Sequence, residues 1–382
     1  MSFKQYKHSL NQFKSYIFEK TPNPFMKLHL VVLLTLINLA TVAAQNIPLY
    51  VGTFTNEDAQ GIYRYQFNTE TGELNNQVLA VAIESPNFIT YSPNRRFMYS
   101  VNRSSDSERP DYVAAYKINT DGSLILLNTQ NSHGKSPCHI AVNASATKVV
   151  ISNYNGGTVV IYNITNDGSL SEASQIFNHN AETEKSHAHS AHFYSDDMFV
   201  ADLGRNALYQ YTLENNTYQL VSSKIVDMAG NPGPRHFSIS KNGKFIYIIN
   251  EYGSSITSVK KTKKGFKKID HDSTLSDNYK GKNSCADIHL SKDERFLYGS
   301  NRGENSIAVF KRNTRNGKIK KIQNINVEGN WPRNFTLDPT GNFLLVANRR
   351  SNNISVFKIN KAHGTLSFLH DIKSPTPVCL LF

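Results

Sequence analysis

Histidine, arginine and acidic residues recur in this sequence at a spacing near 49 residues, and they are types that bind anions or move protons. One series runs Asn87, Cys138, His189, Arg235, Ala286, Arg333 and Val378, and the residue after each gives Phe88, His139, Ser190, His236, Asp287, Asn334 and Cys379. A third series is charged at Arg103, Glu251, Arg302 and Arg349. An element repeated for structural reasons places similar residues at equivalent positions. These series instead change from copy to copy, which points to a binding site where they converge. Two architectural readings stand beside that one. Polar residues along a hydrated channel often satisfy one another through water, and Arg235 with Glu251 can be an inter-strand ion pair. His187 and His189, at strand-like i,i+2 spacing, would present two imidazoles on one face, but zinc needs a third protein ligand that nothing nearby specifies, so no metal is expected. Cys138, Cys285 and Cys379 contain no CxxC pair. Cys138 and Cys285 read as small buried hydrophobes, and no GxSxG nucleophile elbow is present.

The spacing comes from a repeated element. Short apolar runs end in a small polar residue at Thr53, Asn102, Asn153, Asp202, Asn250, Asn301 and Asn348, with intervals of 49, 51, 49, 48, 51 and 47. Period-two alternation, β-branched and aromatic enrichment and Asn/Gly turns make these antiparallel hairpins. Six of the runs follow a further strand that opens on a polar or proline motif, from SPNFITYSP at 85–93 to WPRNFTLD at 331–338. The first run has no such strand before it, and the matching copy, TPVCLLF at 376–382, ends the chain. A C-terminal strand that completes the N-terminal unit closes a circular array. The expected fold is all-β, a seven-bladed β-propeller, whose blade-opening residues meet at one mouth of the central channel.

The chain has 382 residues and a formal charge of +12. Residues 27–44, KLHLVVLLTLINLATVAA, have a basic flank, an apolar run and small residues, the order of a secretory signal peptide cleaved before Gln45. The alternative is an uncleaved N-terminal anchor, although the run is short for a span and contains His29 and Asn38. Residues 1–44 are therefore read as a signal peptide with an extended n-region, for which Met26 offers a second start. Residues 45–382 are read as one propeller domain, exported to the periplasm or secreted and without stable membrane insertion after cleavage. Five lysines and one glutamate in the leader account for +4 of the charge and leave +8. Much of the rest lies in KKTKKGFKK at 260–268 and KIKK at 318–321, which read as solvated strand and loop faces. No nucleic-acid-reading motif accompanies them, so nucleic acid is not an expected partner. A basic surface steers small anionic substrates. A monomer is favoured.

Several motifs together resemble the bacterial family of seven-bladed propeller lactonases, the propeller-type 6-phosphogluconolactonases. They are YVGTFT with GIYRYQFNTETGEL, SPCHIAV with SNYNGGTV, HAHS with ADLG, GPRHFSI with INE, SNRGENSIAVF, WPRNFTLDPTGNFLLVAN and the closing SPTPVCLLF, in family order along the whole mature chain. The resemblance implies a lactone hydrolase without a cofactor, acting on a small anionic or sugar-acid lactone. Similar fungal propellers form or open muconolactones, and by analogy His187, Arg235, Glu251 and Arg302 fall on the active-site motifs. In that setting Glu251 or His187 would be the general base. Arg235, with Arg302 or Arg333, would stabilise the oxyanion or hold a substrate anion, with His139, His189, His236, Asp287 and Arg333 binding substrate. Alternatives are a non-catalytic ligand- or protein-binding propeller and a muconate-type lactonising isomerase. Two departures from the family pattern stand out: DLG is followed by Arg205 and Asn206 rather than by an Asp, and Arg103 and Arg349 make the mouth more cationic than is usual.

Overall fold

The second strand of each repeat sits between two neighbouring blades, and this explains its composition. FMYSVN, KVVISN, FIYIIN and FLLVAN are buried at every position, with no polar face to turn outward. Outer strands such as Leu170–Asn178 alternate between covered and exposed residues. The computed structural model describes residues 46–382 apart from 223, 224, 226, 227 and 229, so the expected leader of residues 1–44 lies outside the described residues. Pro48–Phe382 forms one compact unit.

Twenty-eight strands pair into seven four-stranded antiparallel sheets. The innermost strand of each blade is Pro377–Leu381, Pro86–Tyr91, Pro137–Val142, Ala188–Tyr194, Pro234–Ile239, Ser284–Leu290 or Pro332–Leu337. Each touches the innermost strand of the next blade, and the circuit closes from Pro332–Leu337 through Pro377–Leu381 to Pro86–Tyr91. Blade 1 is completed as the sequence predicts: Pro377–Leu381 pairs with Asn46–Thr53, with Tyr50 opposite Leu381 and Gly52 opposite Cys379. We number the remaining blades 2 to 7 along the chain.

The core lies between blades. Phe97, Tyr99 and Val101 of blade 2 pack on Ile140, Val160 and Tyr162 of blade 3. Phe245 and Tyr247 of blade 5 pack on Leu297 and Phe310 of blade 6. Blades 1 and 7 meet through Phe67 and Phe343, edge to face at 5.6 Å. Each such large apolar side chain contributes about 1.5–3 kcal/mol on burial.

The small polar residue that ends each second strand has its own task. The Asn102, Asn153 and Asn301 side-chain amides donate to the carbonyls of Glu84, Ser132 and Thr274, tying down the loop that enters the same blade. In blade 4 that loop presents donors instead, and the position is Asp202. The lysine runs fall on the outer hairpins, where Lys261, Lys263, Lys264, Lys267, Lys268, Lys318 and Lys320 are exposed.

Every innermost strand breaks register at its first-series residue. The breaks fall between Pro86 and Phe88, Pro137 and His139, Ala188 and Ser190, Pro234 and His236, Cys285 and Ile288, and Pro332 and Asn334, and opposite Gly52/Thr53 in blade 1. These are seven β-bulges in a ring. A bulge frees one residue from cross-strand pairing and re-aims its side chain.

Candidate active site

The bulge at the start of Pro234–Ile239 releases Arg235, whose guanidinium is buried at 1% exposure. Glu251 follows the second strand of the same blade, fixed by its backbone N–H to the Gly233 carbonyl at 2.7 Å. Its Oε2 lies 3.0 Å from Arg235 Nε and 2.8 Å from Arg302 Nη2. Oε1 has no partner among the described residues. Arg302 comes from blade 6 and also donates from Nη2 to the Cys285 carbonyl at 2.8 Å. Burial and the neighbouring Arg302 charge lower Arg235 to about 10, although Glu251 works the other way.

His187 stands on the loop entering blade 4. Its Nδ1 is 2.9 Å from the Tyr154 carbonyl oxygen, and its ring stacks on the Tyr154 ring at 4.5 Å and 19°. A carbonyl only accepts, so Nδ1 carries the proton and Nε2 keeps a free lone pair. Asp202 holds the loop in place. Its Oδ1 accepts from the backbone N–H groups of His187 and Arg205, while its Oδ2 accepts from Ser186 Oγ at 2.5 Å and contacts His179 Nδ1 at 3.1 Å. Burial opposes the Asp202 charge, but these hydrogen bonds outweigh it and lower its pKa. Tyr154 links the two halves of the site. Burial pushes its phenol up, and Tyr252 and the Glu251 charge push it further.

Across the mouth, Phe54 is 6% exposed and carries three guanidiniums over its ring: Arg349 at 4.6 Å, Arg103 at 5.4 Å and Arg333 at 5.6 Å. None of the three is ion-paired within 4 Å among the described residues, and Arg103 Nε is buried without a hydrogen-bond partner. Burial and the charges of Arg235, Arg302 and Arg103 hold Arg333 well below the usual arginine value. Trp331 lies under Arg350 at 3.5 Å and Arg302 at 5.3 Å.

The second series lies one step deeper. His236 Nδ1 is 2.8 Å from Asp287 Oδ1, and Asp287 Oδ2 is 3.0 Å from His289 Nε2. His236 also lies against His189 at 5.1 Å and His139 at 5.5 Å. His139, His236 and Asp287 line a cavity of about 300 Å³ with His192 and His289, reached toward the C-terminal ends of the innermost strands. Glu251 and Arg302 stand at their N-terminal ends. The residues expected to share one mouth therefore divide: Arg235, Glu251, Arg302 and Arg333 gather there, with His187 on its rim and His189 just beneath, while His139, His236 and Asp287 fill the channel. His187 and His189 both lie against the Tyr154 ring, at 4.5 Å and 5.6 Å. Among the described residues no three His, Cys, Asp or Glu side chains are grouped to hold a metal ion. Cys138 and Cys285 are buried free thiols, pushed up by burial to about 11 and about 12.

Residues 48–382 match the model of the family described as "Lactonase, 7-bladed beta-propeller". The chain belongs to this lactonase family. It is 33% identical to the 6-phosphogluconolactonase of Bacillus subtilis, over 87% of this chain and 97% of that protein. A crystal structure from Bacteroides fragilis, 31% identical, superposes with a TM-score of 0.80 over 88% of this chain and 98% of its own. A periplasmic gluconolactonase of Pseudomonas aeruginosa, 24% identical, shares the fold with a TM-score of 0.81 over 87% of this chain and 98% of its own.

Within the lactonase mouth, sequence reasoning passed over Tyr154, Phe54 and Trp331. Tyr154 and Phe54 occupy the third series at the blade 3 and blade 1 positions, where a search for charge alone overlooks an aromatic ring. Trp331 opens blade 7 at a backbone φ of 68°, and only its place in WPRN marked it.

Proposed function

We propose that the chain hydrolyses a lactone bearing an anionic substituent, with His187 as the general base. The observation that carries this reading is the Tyr154 carbonyl on His187 Nδ1, which leaves Nε2 free to accept a proton. Glu251, engaged by two arginines through one oxygen, is better suited to hold Arg235 and Arg302 in place than to take a proton. In the reaction, a water oxygen adds to the lactone carbonyl carbon as its proton passes to His187 Nε2. The oxyanion that forms is met by Arg235 and Arg302. The intermediate collapses with cleavage of the ring C–O bond, and the imidazolium returns its proton to the leaving alkoxide, giving a hydroxy acid. The guanidiniums around Phe54 suit a carboxylate or phosphate on the same substrate.

The relatives' names support lactone chemistry, and the cationic mouth supports the anionic substituent. The test is a panel of sugar-acid lactones, charged and neutral, assayed with wild type, His187→Ala and Arg235→Ala. His187→Ala is expected to lose 10²- to 10⁴-fold in kcat, on the order of a general base's contribution, and the acid limb of its pH–rate profile. Wild-type turnover in both variants would remove catalysis from this site, and a wild type that turns over none of the lactones would return the non-catalytic binding reading. We propose export as well, from the leader pattern of residues 27–44. Cell fractionation with N-terminal sequencing is expected to find a chain starting at Gln45 outside the cytoplasm, and a cytoplasmic chain starting at Met1 or Met26 would overturn it.

A further inference from the structure

Arg235 is held from below as well as from the mouth. Its Nη1 donates to the Ala286 carbonyl at 2.6 Å and lies 3.4 Å from His236 Nε2. Arg235 and His236 are sequence neighbours, which in a regular strand point to opposite faces. The bulge between Pro234 and His236 brings them to one side. Asp287 Oδ1, 2.8 Å from His236 Nδ1, makes that nitrogen the donor, so Nε2 presents a lone pair to the guanidinium. Asp287 is anchored in turn by Asn334 Nδ2 at 2.5 Å, His289 Nε2 at 3.0 Å and the Phe335 N–H at 3.3 Å. Nη1 thus has both hydrogens engaged from the channel side, Nε lies 3.0 Å from Glu251 Oε2 as an ion pair without a hydrogen bond, and no hydrogen bond reaches Nη2 from the described residues.

We propose that Asp287 and His236 are positioning residues that orient Arg235 so that its Nη2 edge faces the substrate oxygen. This rests on the hydrolase reading above and adds to it a line of support running from the deep cavity to the oxyanion. The logic is that of a carboxylate fixing an imidazole tautomer, with the imidazole acting as acceptor toward a cation instead of toward a nucleophile. The groups facing His236 keep it neutral for that role. Burial and the Arg235 charge lower it to about 3, against the opposing pull of Asp287, and His192 adds to the lowering. His139 and His189, packed on the same ring, are themselves held well below the usual imidazole range by burial. A protonated His236 would turn an N–H on Arg235 and push it from its place.

The test compares His236→Leu, which removes the acceptor, with His236→Gln, whose amide oxygen can replace Nε2, in the full-length protein on whichever lactone the wild type turns over. His236→Leu is expected to lower kcat about 10- to 100-fold with KM little changed, as a small misplacement of a catalytic group does. His236→Gln is expected to recover to within a few-fold of wild type, and thermal melts check that both are folded. A purely structural role would lower the melting temperature of both and leave kcat per folded molecule unchanged, which overturns the proposal. If His236→Leu does not fold, Asp287→Asn and His236→Gln carry the comparison. A folded Asp287→Asn with wild-type kcat is then the overturning result, and a loss of about tenfold the supporting one. Arg235→Ala separates the two levels of inference: if it keeps wild-type kcat the assignment of hydrolysis to this mouth fails, and if it is inactive while folded His236→Leu is not impaired, only the positioning fails.

Discussion

Arg103, Arg333 and Arg349 repel one another, and folding brings them over one phenyl ring with no ion pair within 4 Å among the described residues, although the Glu57 charge partly offsets the burial of Arg349. Cation–π contact returns about 0.5–2 kcal/mol per pair, less than a ligand anion offers through charge-assisted hydrogen bonds at about 1.5–3 kcal/mol each. The arrangement therefore favours occupancy by an anion. Arg103→Ala and Arg349→Ala are each expected to lower kcat/KM about 10- to 100-fold for a phosphorylated or carboxylated lactone, from that hydrogen-bond energy, and to leave a neutral lactone within a few-fold of wild type. Equal losses on charged and neutral substrates would show that these arginines support the fold of the mouth and not the ligand. The two arginines were visible in the sequence as charged members of a repeat position. Phe54 beneath them was not, because an aromatic at that position looks like ordinary core.

At the scale of the strand, the repeat was legible because most second strands are buried on both faces and, at Asn102, Asn153, Asp202, Asn301 and Asn348, end in a residue that ties down a loop, so composition and spacing carry the same message. The bulges were not. Each bulge falls one or two residues into its strand, too close to the start for the shifted phase of a period-two pattern to show, so two adjacent series looked like one ring when the structure sets them at two depths. Arg235 and His236 are the clearest case, being neighbours whose shared side of the strand exists only because of the bulge. The blade-to-blade contacts at the outer hairpins can be tested directly. Gly317 turns at φ +79°, Tyr247 Oη donates to its carbonyl at 3.1 Å, and an added Cβ would lie 2.3 Å from Phe245 Cδ1. Gly265 turns at φ +98° with nothing within 4 Å of such a Cβ. Gly265→Ala is expected to cost only the backbone strain, on the order of 1 kcal/mol. Gly317→Ala adds overpacking against a buried ring and is expected to cost roughly 1–3 kcal/mol more. Denaturant midpoints of the two variants check this, and equal midpoints would mean that blade 6 moves away from blade 5 without penalty.

For the whole molecule, closing a ring of seven blades pulls titratable groups out of water together. Burial, assisted by neighbouring imidazoles or by Arg235, holds His139 and His189 well below the usual imidazole range and lowers His192 to about 4 and His236 to about 3. In the unfolded chain these residues take up protons near pH 6.5. Below that pH the unfolded state binds protons that the folded state refuses, so stability falls as pH falls. Each imidazole that stays neutral contributes up to ~1.4 kcal/mol per pH unit to that slope. His289 acts in the opposite sense: burial works against its proton, yet the Asp287 charge and hydrogen bond raise its pKa, giving stability present at low pH and lost as pH rises through its folded value. Asp287, held well below its usual range by His289 and His236 against the effect of burial, contributes stability above about pH 4 that is lost only under stronger acid. These four channel imidazoles, with His271 also lowered by burial, outweigh one raised imidazole, so the melting temperature is expected to drop steadily from pH 6.5 toward pH 4.5. His192→Phe, which keeps a ring against Phe237 and removes one titrating group, is expected to make that drop shallower. A wild-type melting temperature that stays level across this range would mean that the channel imidazoles are protonated in the folded protein. His236 would then be unable to accept from Arg235 in mild acid, and lactone turnover would fall with it.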